Sequence, residues 1–519
     1  MNVNIDTAAL DALFAPYDRS DAPGFAVGVA LGGKPGYRRG FGMASIELPV
    51  VLSPSIRMRI GSTTKHFCVL AAMLLAEEGR LSIDESPRRY IPELPEWAEA
   101  MTLRQLMAHT SGMRDSLDLM IMQSGGTSPN KAGDQLGLLL GLDSVNFAPG
   151  QNWNYNNGGY VLLTEIVERL SGEPFGDFLK RRILDPVGMY DTLLRPLDTK
   201  LLPNSATLHM PLPDGGYERG AFGGPVMGEG GMVSTVDDML LWLKHMSAPV
   251  VGSAETWAAM RTPHTSHGFG LGLRMEAHRG LATVHHAGAV VGGSSQMLKV
   301  IDHELDVVIM TNGRSSQELC ELVDAIIDVC IPGLPPVPQY VEGEVVTGNF
   351  HSVASGRVMS LVEHEGKQAM SVAGLSIPVF RAADGTLSIP LMLSDLKMTP
   401  RRDDGRVDAL DLVEFGVADR LERIELASEP DVKAILGQYD SPAARLSATI
   451  TVDDMGKAHL LLAGPWGSTN YGLEALSQNV WRLQSPPGGL PRGGTVEFDD
   501  AGLRYTSGRT MRLRFDRVQ

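Results

Sequence analysis

Gly61-Ser62-Thr63-Thr64-Lys65-His66-Phe67-Cys68-Val69-Leu70-Ala71-Ala72-Met73-Leu74-Leu75-Ala76-Glu77-Glu78-Gly79 is apolar almost all round once past its first turn. Such a run predicts a helix over 62–78 that lies inside a core, with Gly79 as its C-terminal cap. Upstream, residues 24–32 (GFAVGVALG) are expected to form a buried strand and residues 37–45 its hairpin partner. Downstream, helices are predicted over 157–170, 236–246 and 318–329. The second follows Ser234-Thr235 and places Asp237 and Asp238 in its first turn, where carboxylates suit the helix dipole. Strands are predicted over 281–285, 295–301 and 306–311. The order is a strand pair, helices, adjacent strands and a last helix. It implies an α+β fold with an antiparallel sheet rather than alternating βαβ units.

At 519 residues the chain is too long for one core, and two to four domains are expected. Residues 331–338 (IPGLPPVP) hold four prolines in eight positions, a stiff linker. The expected division is 1–331, a linker at 332–339, and two β domains at 340–428 and 429–519. The tail has turns at Asp384-Gly385, Asp404-Gly405, Met455-Gly456 and Ala501-Gly502, and a weak internal repeat. Gly348-Asn-Phe-His-Ser352 resembles Gly437-Gln-Tyr-Asp-Ser441, Arg357 matches Arg445, and Gly366-Lys367 matches Gly456-Lys457. Regularly spaced short strands in units of this size favour small antiparallel barrels. A net charge of −16 argues against nucleic acid and anionic membrane as partners. Three cysteines give no disulfide framework, and Cys68 is expected to be a buried structural thiol. Residues 1–16 lack the pattern of a leader and no run of 18 apolar residues occurs, so a cytoplasmic setting is expected.

Chemistry enters with Ser62 and Lys65. One helical turn separates them, so the amine can approach the hydroxyl. Beside Phe67, Val69 and Leu70 that amine is expected to be partly desolvated, which favours its neutral, proton-accepting form. Taken alone, Ser-x-x-Lys is common by chance, and the pair better fits a capping Ser with a surface Lys. A second element is Tyr155-Asn156-Asn157, after a turn-rich approach from Pro149. A phenol near a cationic amine is a second candidate base, and the Asn157 amide could orient Lys65 or bind a substrate carbonyl. A third is His286-Ala287-Gly288, at the end of a strand-like run. There the small residues, Gly288 among them, would let a substrate lie along the strand, and His286 could orient Tyr155 or the leaving group. The backbone N–H groups of Ser62 and Ala289 could hold an oxyanion. Which of Lys65 and Tyr155 is the first base stays open, since interacting groups titrate as a unit.

In order and spacing these elements resemble the penicillin-recognising serine hydrolases, which comprise class C β-lactamases, D-Ala-D-Ala carboxypeptidases and related esterases and D-amino-acid hydrolases. Leu106-Met-Ala-His109-Thr110-Ser111-Gly112-Met113, the stretch from Phe147 to Tyr160, and Gly230-Gly231-Met232-Val233-Ser234-Thr235-Val236-Asp237-Asp238-Met239 are also similar to segments of that family. The resemblance covers about residues 10–330. It implies a β-lactamase-like domain, an antiparallel sheet flanked by helices with a helical subdomain, and catalytic roles for Ser62, Lys65, Tyr155 and His286. The tail adds a resemblance to the three-domain D-aminopeptidase branch. That implies release of N-terminal D-residues from a short-peptide or small-molecule substrate, a homodimer, no cofactor, and a last-barrel loop at about 484–494 entering the cleft.

That loop reads Gln-Ser-Pro-Pro-Gly-Gly-Leu-Pro-Arg-Gly-Gly, with Arg492 its only charge and no carboxylate for a substrate amine. The branch's Trp near the position of Val226 is also missing. Glu229 could supply the acid, though it also fits a solvated loop residue. An esterase, a carboxypeptidase or β-lactamase-like hydrolase, and a penicillin-binding sensor without turnover are the competing functions. His264, His267, His278, His285 and His286 suggest a metal site, but no His-Glu-x-x-His helix or completing ligand set accompanies them. No Gly-x-Ser-x-Gly elbow and no phosphate loop are present.

Overall fold

The computed structural model describes residues 3–124, 134–212, 215–265, 268–337, 343–372, 375–389, 395–414, 416–426, 428–486 and 493–518. They form two compact units. The first comprises Met1–Pro92, Met101–Ala108 and Gly159–Val337, and the second Glu93–Ala100, His109–Gly158 and Pro338–Gln519. The expected limit at residue 331 follows the chain, but the packing divides it differently. Residues 109–158 belong with the tail.

The first unit is built on a six-stranded antiparallel sheet. Its order is Arg274–His278, Leu281–Val290, Gly293–Val300, Leu305–Thr311, Phe25–Leu31 and Lys34–Phe41. Every residue of Gly293–Val300 and Leu305–Thr311 is buried, so both faces of the sheet centre are covered. The helix Val236–Ser247 packs on the strand Phe25–Leu31. Gly28 makes the approach possible, because a Cβ there would lie 2.4 Å from Val236 Cγ1. Thr235 caps this helix through the Asp238 N–H, as Ser234-Thr235 suggested. The helix Ser316–Cys330 starts on a reciprocal capping box between Ser315 and Glu318.

Two local differences from the sequence expectation matter for chemistry. Gly61–Thr64 is a 3₁₀ turn, and the α-helix begins only at Lys65 and runs to Glu77. The strand after Leu281 continues to Val290, so His286-Ala287-Gly288-Ala289 lies inside it and not at its end. The small residues there carry no strand propensity of their own. Pairing of His286 with Met297 and Gly288 with Ser295 holds them in the ladder. The neighbouring Arg274–His278 pairs only as far as His285, so from His286 onward the strand has no sheet partner on that side among the described residues.

In the second unit, residues 348–424 form a nine-stranded antiparallel sheet. Its two edge strands, Leu375–Pro378 and Phe380–Arg381, are separated by one residue. Edges that adjacent in sequence require the sheet to curl back on itself, which makes a nearly closed barrel. Residues 437–517 form a closed eight-stranded barrel. The internal repeat has structural counterparts. Gly348 and Gly437 begin equivalent strands at φ of 140° and 142°. Phe350 and Tyr439 are both buried beneath an arginine, Arg423 at 4.7 Å and Arg517 at 5.7 Å. The helix Ser116–Ser124 packs on the closed barrel, where Gln123 Nε2 donates to the Ala444 carbonyl at 2.5 Å. Among the described residues no helix is long and apolar enough to cross a membrane.

Candidate active site

The 3₁₀ turn decides how Ser62 meets Lys65. In a 3₁₀ helix, side chains three apart eclipse each other, whereas in an α-helix they are offset. Lys65 Nζ stands 3.2 Å from Ser62 Oγ and donates to the Glu229 carbonyl at 2.6 Å. The lysine is fully buried, with its amine 5.1 Å from the Tyr160 ring centre. This is not a surface lysine beside a capping serine. Glu229 is also buried, at 2 % exposure, so it is not the solvated residue its loop position suggested. Its backbone holds Lys65, and its carboxylate accepts from the Met227 N–H at 3.0 Å.

The turn is braced from below. Met58–Arg59 pairs with Met232–Ser234, the Ile60 N–H donates to the Met232 carbonyl, and the Met232 N–H donates to Thr64 Oγ1. Arg59 forms a buried ion pair with Asp198 and donates to the Gly231 carbonyl at 2.8 Å, which fixes the loop that carries Glu229. Two glycines bring the long strand against the turn. A Cβ on Gly288 would lie 1.9 Å from the Ile60 carbonyl oxygen, and one on Gly61 would lie 2.8 Å from the Ala289 nitrogen. Gly61 also has φ of 51°, which favours glycine. Ala289 is thus adjacent to the turn that carries Ser62.

His286 is buried, and its pKa is pushed down to about 3, first by desolvation and then by the Lys65 charge. Its Nδ1 lies 2.7 Å from the Ala287 carbonyl, a contact that only an N–H can satisfy. The imidazole is therefore neutral and carries its lone pair on Nε2, which has no hydrogen-bond partner among the described residues. His66, also fully buried, has its pKa pushed well below the usual value by burial. It stacks on Trp242 at 5.4 Å. Cys68 is buried and free, as expected, and desolvation raises its thiol to about 12.

Tyr155 and Asn157 lie in the second unit. Asn157 does not stand alone there, because Asp115 accepts from its N–H at 2.5 Å and from its amide Nδ2 at 3.0 Å. Asp115 is fully buried and also accepts from the Asp118 N–H at 2.8 Å. Sequence reasoning missed this carboxylate, although it lies three residues past the recognised His109-Thr110-Ser111-Gly112 segment. His109 has a structural task as well. At φ of 61° its Nδ1 accepts from the Asn156 N–H at 3.0 Å, and its ring lies 4.3 Å from that of Tyr155. Asn156 Nδ2 donates to the Met113 carbonyl. The segment 109–115 is thus the template on which the Tyr155 loop is laid.

The 484–494 loop cannot be assigned a role, since 487–492, with Arg492, lie outside the described residues. A different hairpin of the closed barrel meets Tyr155. Arg509, between the strands Gly502–Thr506 and Leu513–Arg517, places its guanidinium 5.1 Å from the Tyr155 ring centre. Among the described residues no group of three or more His, Cys, Asp or Glu is arranged to hold a metal ion, and His267 lies outside them.

A helix-flanked antiparallel sheet with a Ser-x-x-Lys turn set against one strand defines a class, and the chain belongs to it. The Beta-lactamase family pattern matches residues 10–330. Beyond that domain, the chain is similar over its length to D-aminopeptidases. It is 26% identical to that of Brucella canis over 502 residues, 92% of this chain and 91% of the relative. It is 27% identical to that of Brucella anthropi over 484 residues, 89% of this chain and 87% of the relative. Two solved structures share the fold. The octameric penicillin-binding protein homologue from Pyrococcus abyssi has a TM-score of 0.55 at 18% identity, covering 96% of this chain and 98% of that one. The D-amino acid amidase from Ochrobactrum anthropi SV3 has a TM-score of 0.53 at 22% identity, covering 62% of this chain and 98% of that one.

Proposed function

We propose that this chain is a serine hydrolase that releases D-amino acids from the N-termini of short peptides, a D-aminopeptidase, through an acyl-enzyme. The observation that carries the chemistry is the buried Lys65 amine 3.2 Å from Ser62 Oγ, oriented by the Glu229 carbonyl. D-aminopeptidase relatives aligned over 92% of the chain support the substrate class.

Ser62 Oγ attacks the carbonyl of the N-terminal residue as Lys65, together with the Tyr155 phenol, takes its proton. The Ser62 and Ala289 N–H groups receive the oxyanion, a contribution on the order of 10²–10³ in rate in comparable sites. The C–N bond then breaks and the proton passes through Tyr155 to the leaving amine, which departs as the shortened peptide. Water adds to the acyl-enzyme, and its proton returns to Ser62 as the D-amino acid leaves. The backbone from His286 to Val290, without a sheet partner on one side among the described residues, is suited to hold the substrate in extended form. Asn157, fixed by Asp115, presents its amide to the acyl group. His286, being neutral, accepts a hydrogen bond through Nε2. No cofactor has a step here. The β domains at 340–428 and 429–519 are assigned to gating and to a homodimer, and the location to the cytoplasm. Light scattering and cell fractionation test the last two.

The test compares wild type with Ser62→Ala on D- and L-alanine p-nitroanilide, a p-nitrophenyl ester and a chromogenic cephalosporin. Expected is turnover of the D-anilide that Ser62→Ala abolishes. Equal rates for the two proteins would end the role of Ser62. A preference for the L-anilide would end the D-aminopeptidase assignment and leave the hydrolase. A stable penicilloyl adduct with no turnover of any substrate would mark a sensor.

A further inference from the structure

The hairpin Ser507-Gly508-Arg509-Thr510-Met511 is fastened to Arg114, Asp118, Asn146 and Asn154, around the Tyr155 loop, far more firmly than a surface turn needs. Asp118, half-buried, accepts from the Ser507 hydroxyl at 2.6 Å and the Thr510 hydroxyl at 2.7 Å. Asn146 donates to the Arg509 carbonyl at 2.8 Å and accepts from the Met511 N–H at 2.9 Å. Arg114 donates to the Met511 carbonyl at 2.7 Å, and Asn154 donates to the Gly508 carbonyl at 3.2 Å. All six bonds hold the backbone or the small hydroxyls, and none uses the Arg509 side chain. Anchoring a turn through Arg114 and Asp118 is expensive, since desolvation pulls the buried Arg114 guanidinium down to about 10 and raises the Asp118 carboxyl.

That scaffold presents one functional group. The Arg509 guanidinium lies half-buried on the Tyr155 ring and makes no hydrogen bond or ion pair of its own with the described residues. Asp118 feels its charge but is already bonded to two hydroxyls. Stacking on a ring occupies the flat face of a guanidinium and leaves its edge donors for a planar anion, which they can bind in bidentate fashion.

We propose that Arg509 is the specificity residue that binds the free α-carboxylate of the leaving amino acid, so that the preferred substrates are dipeptides. The proposal rests on Tyr155 serving the leaving amine. In a leaving amino acid the carboxylate carbon is two bonds from the amine nitrogen, so a cation over the same phenol is the group that meets it. The anchor on the carboxylate comes from this hairpin of the last barrel.

The experiment uses the full chain and compares D-Ala-Gly with D-Ala-Gly amide. Wild type is expected to favour the free acid in kcat/KM by about tenfold to a hundredfold, the range for a charge-assisted hydrogen-bonded pair. In Arg509→Gln that ratio falls to about one, and Arg509→Lys restores part of it. Because the anchoring bonds avoid this side chain, both variants are expected to melt with wild type. A ratio near one in wild type, or a ratio unchanged by Arg509→Gln, overturns the proposal. Binding of the same two peptides to Ser62→Ala and to Ser62→Ala/Arg509→Gln, by calorimetry, separates it from the activity assigned above. If wild type hydrolyses neither peptide while Ser62→Ala binds the acid more tightly in an Arg509-dependent way, the carboxylate site stands and the aminopeptidase assignment falls. If the peptides bind equally or not at all, the carboxylate site falls.

Discussion

Replacing His286 by Gln is expected to change how the first unit responds to acid, by an amount the structure sets. The folded pKa of His286 is about 3 against an ordinary 6.5, so between those values the unfolded chain binds a proton that the folded chain refuses. Folding stability therefore rises with pH through this window. The contribution is fully present above 6.5 and is lost as pH falls toward 3. From 6.5 down to pH 5 is about 1.5 units, and at about 1.36 kcal/mol per unit the loss is about 2 kcal/mol. The figure does not depend on where below pH 4 the folded value lies. His66 and His245 are also buried with lowered pKa values, His245 to about 4, and act in the same direction. They are present in both proteins, so desolvation, the larger cause for each, cancels in the comparison, as does whatever His286→Gln costs at neutral pH. The assay is urea unfolding at pH 7 and pH 5, read by pulses of 4,4′-dithiodipyridine. Cys68, Cys320 and Cys330 are all buried and all lie in the first unit, so thiol exposure reports that unit alone. The stability gap between wild type and His286→Gln is expected to shift by about 2 kcal/mol between the two pH values, wild type losing more. Parallel responses, with a shift under about 0.5 kcal/mol, would refute the neutral, desolvated state of His286.

Other substitutions test other parts of the site. Lys65→Met removes the base beside Ser62 and is expected to slow acylation by about 10²–10⁴, measured as the stopped-flow burst with a p-nitrophenyl ester. Asp115→Ala deprives the Asn157 and Asp118 donors of their carboxylate and is expected to lower stability by about 3 kcal/mol in denaturant titration. The same variant should lose at least about tenfold in kcat/KM as the Asn157 amide is released. Gly288→Ala drives a methyl group into the Ile60 carbonyl and separates Ala289 from the nucleophile turn. A fall in kcat of about a hundredfold is expected, with little change in far-ultraviolet circular dichroism.

Much of the candidate site was legible because its residues sit in local patterns. Ser62 and Lys65 are three apart on a run that is apolar on every side, and burial followed from composition. The strands at 24–32 and 306–311 and the capped helix at 236–246 were readable for the same reason. Propensity and patterning agree there with the tertiary environment. The extension of the 281–285 run to Val290 was not readable, since Ala287, Gly288 and Ala289 form a strand only because Gln296, Ser295 and Ser294 pair with them. The 3₁₀ turn was hidden too, because it depends on Gly61 adopting a positive φ against Ala289.

Sequence by itself determined the family to which the chain belongs and singled out the Ser62–Lys65 pair proposed above as nucleophile and base. Only the tertiary structure decided the supporting groups. The Glu229 carbonyl that aims Lys65, the Asp115 carboxylate that fixes Asn157, and the Arg509 hairpin over Tyr155 come from positions 164, 42 and 354 residues away from the groups they serve. A candidate nucleophile and base can be neighbours along the chain, so spacing brings them to notice. Charges and carbonyls that orient them need only be neighbours in space. No local pattern records them, and burial of the whole chain has to place them.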